Sequence, residues 1–230
     1  MRVIYIHWNI DPEILNIFGV SIRYYSLLFV FGLILSIFIL RWIFKKENIA
    51  VENLEILSLY GFIGILVGAR LGHCLFYEPT YYLANPLEIF LPIKLLQEGG
   101  FKYTGYQGLA SHGGALGLII ALILYSRKTK QPLISTIDFI AIVAGLSAGF
   151  IRLANLMNSE IIGMPTTRPW GFIFERIDNI PRHPAQLYEA IAYFLIFIAM
   201  LTLYKTKRDK LGNGFFFGLV LVLIFTARFF

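Results

Sequence analysis

Six long apolar runs organise the chain, at about residues 24–44, 54–77, 105–126, 133–152, 186–204 and 213–230. Each reaches or exceeds the roughly 18 apolar residues that a helix needs to cross a bilayer. Polar and ionisable residues gather near one end of each run. The densest group closes the fourth, in Arg152-Leu153-Ala154-Asn155-Leu156-Met157-Asn158-Ser159-Glu160. The pattern predicts an all-α, polytopic integral membrane helical bundle of six spans, with residues 1–230 forming a single transmembrane domain.

Two segments between spans are long enough to fold by themselves. Glu78 to Thr104 carries Pro79, Pro86 and Pro92 around an amphipathic stretch, Leu87 to Leu96, suited to a membrane surface. Gly163 to Pro184 holds four prolines with Trp170 and Phe172 and reads as ordered. Together, about 78–104 and 163–184 form the expected outward-facing cap.

Glycines recur four apart at Gly64, Gly68 and Gly72, at Gly113 and Gly117, and at Gly145 and Gly149, which places small residues on single helix stripes for close packing. Gly113 and Gly114 directly follow His112, where they would leave room for a ligand or loop.

Composition agrees with the pattern. The chain is 57% hydrophobic and 15% charged, against about a quarter charged in soluble domains. The net charge of +6 reports topology rather than nucleic-acid binding. Half of the 20 Lys and Arg residues lie in three clusters between spans: Arg41, Lys45 and Lys46; Arg127, Lys128 and Lys130; and Lys205, Lys207, Arg208 and Lys210. Such loops are cytoplasmic by the positive-inside rule, which puts the N-terminus outside. No cleavable signal peptide is evident, so the first span is expected to remain as an anchor. Cys74, the single cysteine, excludes an internal disulfide and reads as a small apolar helix residue.

With direction assigned, the polar ends stack at one depth. Arg23, Tyr24 and Tyr25 open the first span, Arg70 and His73 close the second, and His112 lies two turns into the third. Arg152 closes the fourth, Gln186, Tyr188 and Glu189 open the fifth, and Arg228 closes the sixth. All are expected toward the outer face. An ionisable side chain at mid-bilayer costs about 2.5–3.5 kcal/mol, so a layer of them calls for a polar ligand.

Arg152, Asn155 and Asn158 share a helix face if the helix continues that far. Arginine offers a planar fork of donors suited to phosphate or carboxylate. The ordinary alternative is an arginine snorkelling to headgroups with Glu160 as its surface partner. His112 reads either as a packing histidine or as a proton acceptor. Zinc is a weak alternative, because His73 and His112 have no ligand motif around them. In Arg182-His183-Pro184-Ala185-Gln186-Leu187-Tyr188-Glu189 the proline suits a first helical turn, and Glu189 is placed to pair with a nearby arginine.

His112-Gly113-Gly114, Arg152 to Gly163 and Arg182 to Glu189, with Ile22-Arg23-Tyr24-Tyr25, Gly68 to Gly72 and Ala227-Arg228-Phe229, closely resemble prolipoprotein diacylglyceryl transferases. The match runs in order along nearly the whole chain. Departures include Ser26 and Ala154 where the family commonly has glycine, and Ile224 where many relatives have tyrosine.

The resemblance implies an enzyme of the bacterial cytoplasmic membrane with its site toward the outer leaflet. Its reaction moves the diacylglyceryl group of phosphatidylglycerol to the lipobox cysteine of a prolipoprotein signal peptide, without metal or cofactor. By motif, the catalytic candidates are His112, Arg152 and Arg228. The substrate-binding candidates are Tyr25, Arg70, Gly113, Gly114, Asn155, Asn158, Glu160, Gly163, His183, Gln186, Tyr188 and Glu189. The family continues past Arg228 to a seventh span, so a C-terminal portion is expected beyond Phe230. The rival reading is a transporter or channel with an outward-facing anion site, although that predicts polar residues at the midplane and repeated halves.

Overall fold

A computed structural model describes residues 5–17, 20–91, 93–95, 100–103 and 108–229. In chain order the first elements are β1 (Ile6–Trp8), β2 (Glu13–Ile17), β3 (Val20–Arg23), α1 (Tyr24–Lys46), α2 (Val51–Phe76), α3 (Pro79–Ala84) and α4 (Leu87–Phe90). There follow β4 (Ile93–Leu95), β5 (Phe101–Tyr103), α5 (Ser111–Thr129), α6 (Leu133–Met157), β6 (Phe172–Phe174), β7 (Pro181–Arg182), α7 (Ala185–Lys207) and α8 (Phe215–Phe229). The chain is mostly helical, and the short strands are additions to the all-α expectation.

Among the described residues, four helices are long and apolar enough to cross a membrane: Tyr24–Lys46, Val51–Phe76, Leu133–Met157 and Ala185–Lys210, the last continuing α7 through a 3-10 turn. The helix at the sixth run, α8, is apolar but has 15 residues. The third run gives α5, which starts at Ser111 rather than near 105 and ends in Arg127 and Lys128. Gly108 at φ +78° and the extended Ala110 hold the chain out of helix until that point. His112 therefore sits in the first turn of α5, not two turns in. The seventh span expected past Phe230 falls outside the described residues.

The chain divides into two compact units. In the first, residues 1–46 and 137–230, α6 is the central helix. Gly32 of α1 lies against Phe150, and the Ser36 and Ser147 hydroxyls meet at 2.8 Å. On another face of α6, a Cβ at Gly145 would come within 2.7 Å of the Tyr193 carbonyl on α7, and one at Gly149 within 2.6 Å of the Phe194 ring. These two glycines therefore serve close helix packing.

Asp138, fully buried near the start of α6, accepts the backbone N–H groups of Gly214 at 2.6 Å and Phe217 at 2.8 Å. It satisfies donors that the first turn of α8 would otherwise leave open.

The 163–184 segment folds onto the chain's own beginning. Here β1 pairs in parallel with β6, and β6 pairs with β7 in antiparallel. Trp8 packs on Phe172, and its indole N–H donates to the Leu156 carbonyl at 3.0 Å. That bond satisfies a carbonyl in the last turn of α6 and ties the sheet to the helix end. A hairpin, β2–β3, leads directly into α1.

In the second unit, residues 47–136, α2 and α5 cross through their glycines. A Cβ at Gly68 would lie 2.4 Å from the Gly113 carbonyl oxygen, and one at Gly117 would lie 2.0 Å from that of Gly64. The space beside Gly113 is thus filled by the α2 backbone, which corrects the expectation of ligand room there. Gly114 is buried at ordinary contact distance from Ala69 and Ile65. The stretch from Leu87 divides between α4 and β4, which pairs with β5, while residues 92 and 96 lie outside the described residues.

Candidate active site

In the first unit the polar group is built where α6 ends. The helix runs through Met157, then Ser159 and Ile161 take left-handed conformations, both at φ +55°. The chain turns back, so that the Glu160 N–H donates to the Asn155 carbonyl at 2.9 Å. That reversal brings the Glu160 carboxylate to two asparagines: Asn155 donates to one oxygen at 3.1 Å and Asn158 to the other at 3.0 Å.

Arg152 donates from Nη1 to the Asn155 side-chain oxygen at 3.3 Å. Its carboxylate partner is Glu189 on α7, with Nε 2.7 Å from Oε2, rather than the Glu160 of the surface-pair alternative. Tyr193, one turn further along α7, donates to the same Glu189 oxygen at 2.9 Å. Arg152 and Glu189 are mostly buried, with side chains 12% and 19% exposed. Among the described residues no partner occupies Nη2. The result is an oriented guanidinium with donors left for an anion.

The first turn of α7 supports the reversal. Gln186 is fully buried and donates its amide N–H to the Glu160 backbone carbonyl. Its side-chain oxygen, the Asn158 side-chain oxygen and the Ser159 hydroxyl are buried without a hydrogen-bond partner among the described residues. Native proteins rarely leave such groups unpaired, so a polar ligand or water suits this place.

Gly163 is required by close approach, since a Cβ there would sit 2.5 Å from the His183 carbonyl oxygen. His183 and Tyr188 meet through Nδ1 and the hydroxyl at 3.1 Å. Arg182 binds Asp178, with Nη2 2.5 Å from Oδ2, and this hydrogen-bonded guanidinium holds the Asp178 carboxyl below its ordinary range. Arg228 is exposed in the last turn of α8. Tyr25 is half-buried in the first turn of α1.

In the second unit Arg70 is buried, and its donors go to backbone carbonyls: Glu88 at 2.5 Å, Ile89 at 3.1 Å and Gly108 at 3.5 Å. Its guanidinium also lies 4.8 Å over the Tyr82 ring. Arg70 therefore latches α4 and the segment that leads into α5. The nearby Glu88 carboxylate accepts the Tyr81 hydroxyl at 2.7 Å, a bond that pushes the phenol up to about 12.

His112 is exposed, its ring edge-on to Phe76 at 5.4 Å and beside Tyr77 at 5.8 Å. His73 stacks on Tyr77 at 5.6 Å. Neither ring nitrogen of His112 has a hydrogen-bond partner among the described residues, which leaves the imidazole open for proton transfer. No group of three His, Cys, Asp or Glu side chains arranged as metal ligands occurs among the described residues.

Sequence reasoning missed Tyr193 and Tyr77. Tyr193 had a signal, four residues after Glu189 on one helix face. Tyr77 is placed by contacts that no spacing announces.

Membrane-length apolar helices, with an arginine–carboxylate–asparagine network at one helix end, define a polytopic membrane protein with a charged site beside its spans. The family model for prolipoprotein diacylglyceryl transferase matches residues 12–230, and the chain belongs to that family. It is 56% identical over 225 residues to the phosphatidylglycerol–prolipoprotein diacylglyceryl transferase of Bacteroides fragilis, covering 98% of this chain and 81% of that one. The enzyme of that name from Tolumonas auensis is 44% identical over 223 residues, 96% of this chain and 81% of the relative. That from Chloroherpeton thalassium is 43% identical over 227 residues, 98% and 80%.

Proposed function

We propose that this protein transfers the diacylglyceryl group of phosphatidylglycerol to the lipobox cysteine of prolipoproteins. The observation that carries the reading is the guanidinium of Arg152, aimed by Glu189 and Asn155 with donors to spare, in a chain of this family. Membership of a transferase family favours this reading over a transporter.

Arg152 and Arg228 bind the lipid phosphate and stabilise its charge as the bond between the glyceryl carbon and the phosphate oxygen breaks. The cysteine sulfur bonds to that carbon, its proton passes to His112, and glycerol phosphate leaves. The nucleophile belongs to the substrate.

Asn155, Asn158, Glu160 and Gly163 shape the headgroup side. Tyr25, His183, Gln186, Tyr188 and Glu189 line or brace it, Gly113 and Gly114 seat His112, and Arg70 is a further lipid-binding candidate. In the finer topology the chain makes six spans in the bacterial cytoplasmic membrane. Its basic loops are cytoplasmic, its N-terminus is outside, the segments at 78–104 and 163–184 form the outer cap, and the site lies toward the outer leaflet.

The test is mass spectrometry of a lipobox peptide incubated with the protein and phosphatidylglycerol. A diacylglyceryl mass gain is expected, slowed by about 10²–10⁴-fold in His112→Gln. No gain from a folded preparation would overturn the reading, and a wild-type rate in His112→Gln would remove the proposed base.

A further inference from the structure

A second charged locus lies at the other end of α7, about 24 Å along the helix from Glu189 at 1.5 Å per residue. There the end of α1 meets the end of α7. Trp42 and Tyr204 pack edge to face at 5.8 Å. Lys46 occupies the angle between them, its ammonium 4.8 Å from the Tyr204 ring centre and 5.6 Å from that of Trp42. Lys205 approaches Trp42 as well, at 5.3 Å. Tyr204 is fully buried, whereas Trp42 is 40% exposed and both lysines are exposed.

Two ammonium groups thus gather on one indole. The two like charges repel, and among the described residues neither has a carboxylate within ion-pair distance. The following segment adds Lys207 and Lys210 against the single acid Asp209. Nothing in the proposed transfer reaction uses this end of the helices.

We infer that Lys46, Lys205 and Trp42 form a binding site for the phosphate of an anionic phospholipid, in the leaflet opposite the Arg152 site. The charge suits an anion, and the surrounding geometry selects a lipid. Trp and Tyr favour the headgroup level of a bilayer, and the locus lies at the end of two helices of membrane-spanning length. A phosphate between the two ammonium groups would relieve their repulsion, while its acyl chains lie along the apolar surfaces below. The inference does not depend on the transferase reading.

The test is native mass spectrometry of the detergent-purified chain titrated with phosphatidic acid or phosphatidylcholine of matched chains. Wild type is expected to retain phosphatidic acid preferentially. K46Q/K205Q should weaken that retention by roughly 25-fold, since each lysine near a charged membrane surface contributes about fivefold. K46R/K205R and K128Q/K130Q should retain it, and the same loss in K46Q/K205Q on an R152Q background keeps this site apart from the lipid site proposed at Arg152. Equal retention of the two lipids, or full retention by K46Q/K205Q, overturns the proposal. Displacement by millimolar glycerol phosphate would show a free-phosphate site and overturn the lipid assignment.

Discussion

Arg152 and Glu189 form a mostly buried ion pair at 2.7 Å between the last two turns of α6 and the beginning of α7. Glu189 also accepts the Tyr193 hydroxyl, so the carboxylate is itself held in place. The pair aims a guanidinium that keeps donors for a ligand.

Arg152→Lys should lower kcat/KM for lipobox peptide by about 10²–10³-fold, because it keeps the charge but loses the fork. Glu189→Gln should cost less, about tenfold to a hundredfold, the worth of a hydrogen bond to a charged group. Tyr193→Phe should cost still less. Steady-state kinetics with phosphatidylglycerol checks the order, and a fully active Glu189→Gln would deny the orienting role.

Gly117 and Gly61 make a matched contrast. Gly117→Ala places a methyl group 2.0 Å from the Gly64 carbonyl oxygen, so α2 and α5 must separate, at about 1–3 kcal/mol. At Gly61 the nearest atom is 3.9 Å away, so Gly61→Ala should leave stability unchanged or slightly improved. Thermal unfolding in detergent reads both, and equal midpoints would mean that the glycine crossing does not limit stability.

Asp138→Ala should destabilise the first turn of α8 by about 1–3 kcal/mol, since two backbone donors lose their acceptor. Hydrogen exchange of the Gly214 and Phe217 amides is the direct measurement. Protection as in wild type would show that another group caps the helix.

The Asp178–Arg182 turn should depend on pH. The hydrogen bond from Arg182 lowers the folded carboxyl below its ordinary 3.8, so its contribution is present above that value and lost as pH falls through the lower folded value. Exchange in residues 178–183, taken relative to the intrinsic rate at each pH, should therefore rise on acidification in wild type. In Asp178→Asn it should already be elevated at neutral pH and flat with acid, and a wild-type acid profile in that variant would assign the loosening elsewhere.

Much of the candidate site was legible because its parts are local. Arg152, Asn155, Asn158 and Glu160 fall within nine residues, and the helix continues far enough to gather the first two on one face. Pro184 and the polar residues after it marked the start of α7. The pairing of Glu189 with an arginine was legible as a possibility. That its partner is Arg152, with Glu160 turned to the asparagines, depends on two left-handed residues that periodicity does not reveal.

By itself the sequence determined the long apolar helices, the helix-end location of the polar residues and the family. These follow from composition and from spacing within single segments, where side-chain positions repeat by geometry. Only the tertiary structure decided that Gly113 faces the α2 backbone, that β1 lies beside β6, that Asp138 caps α8, and that Lys46 meets Tyr204. Each joins segments far apart in the chain, so its partner is chosen by packing and by the need to satisfy buried polar groups, neither of which a local pattern encodes.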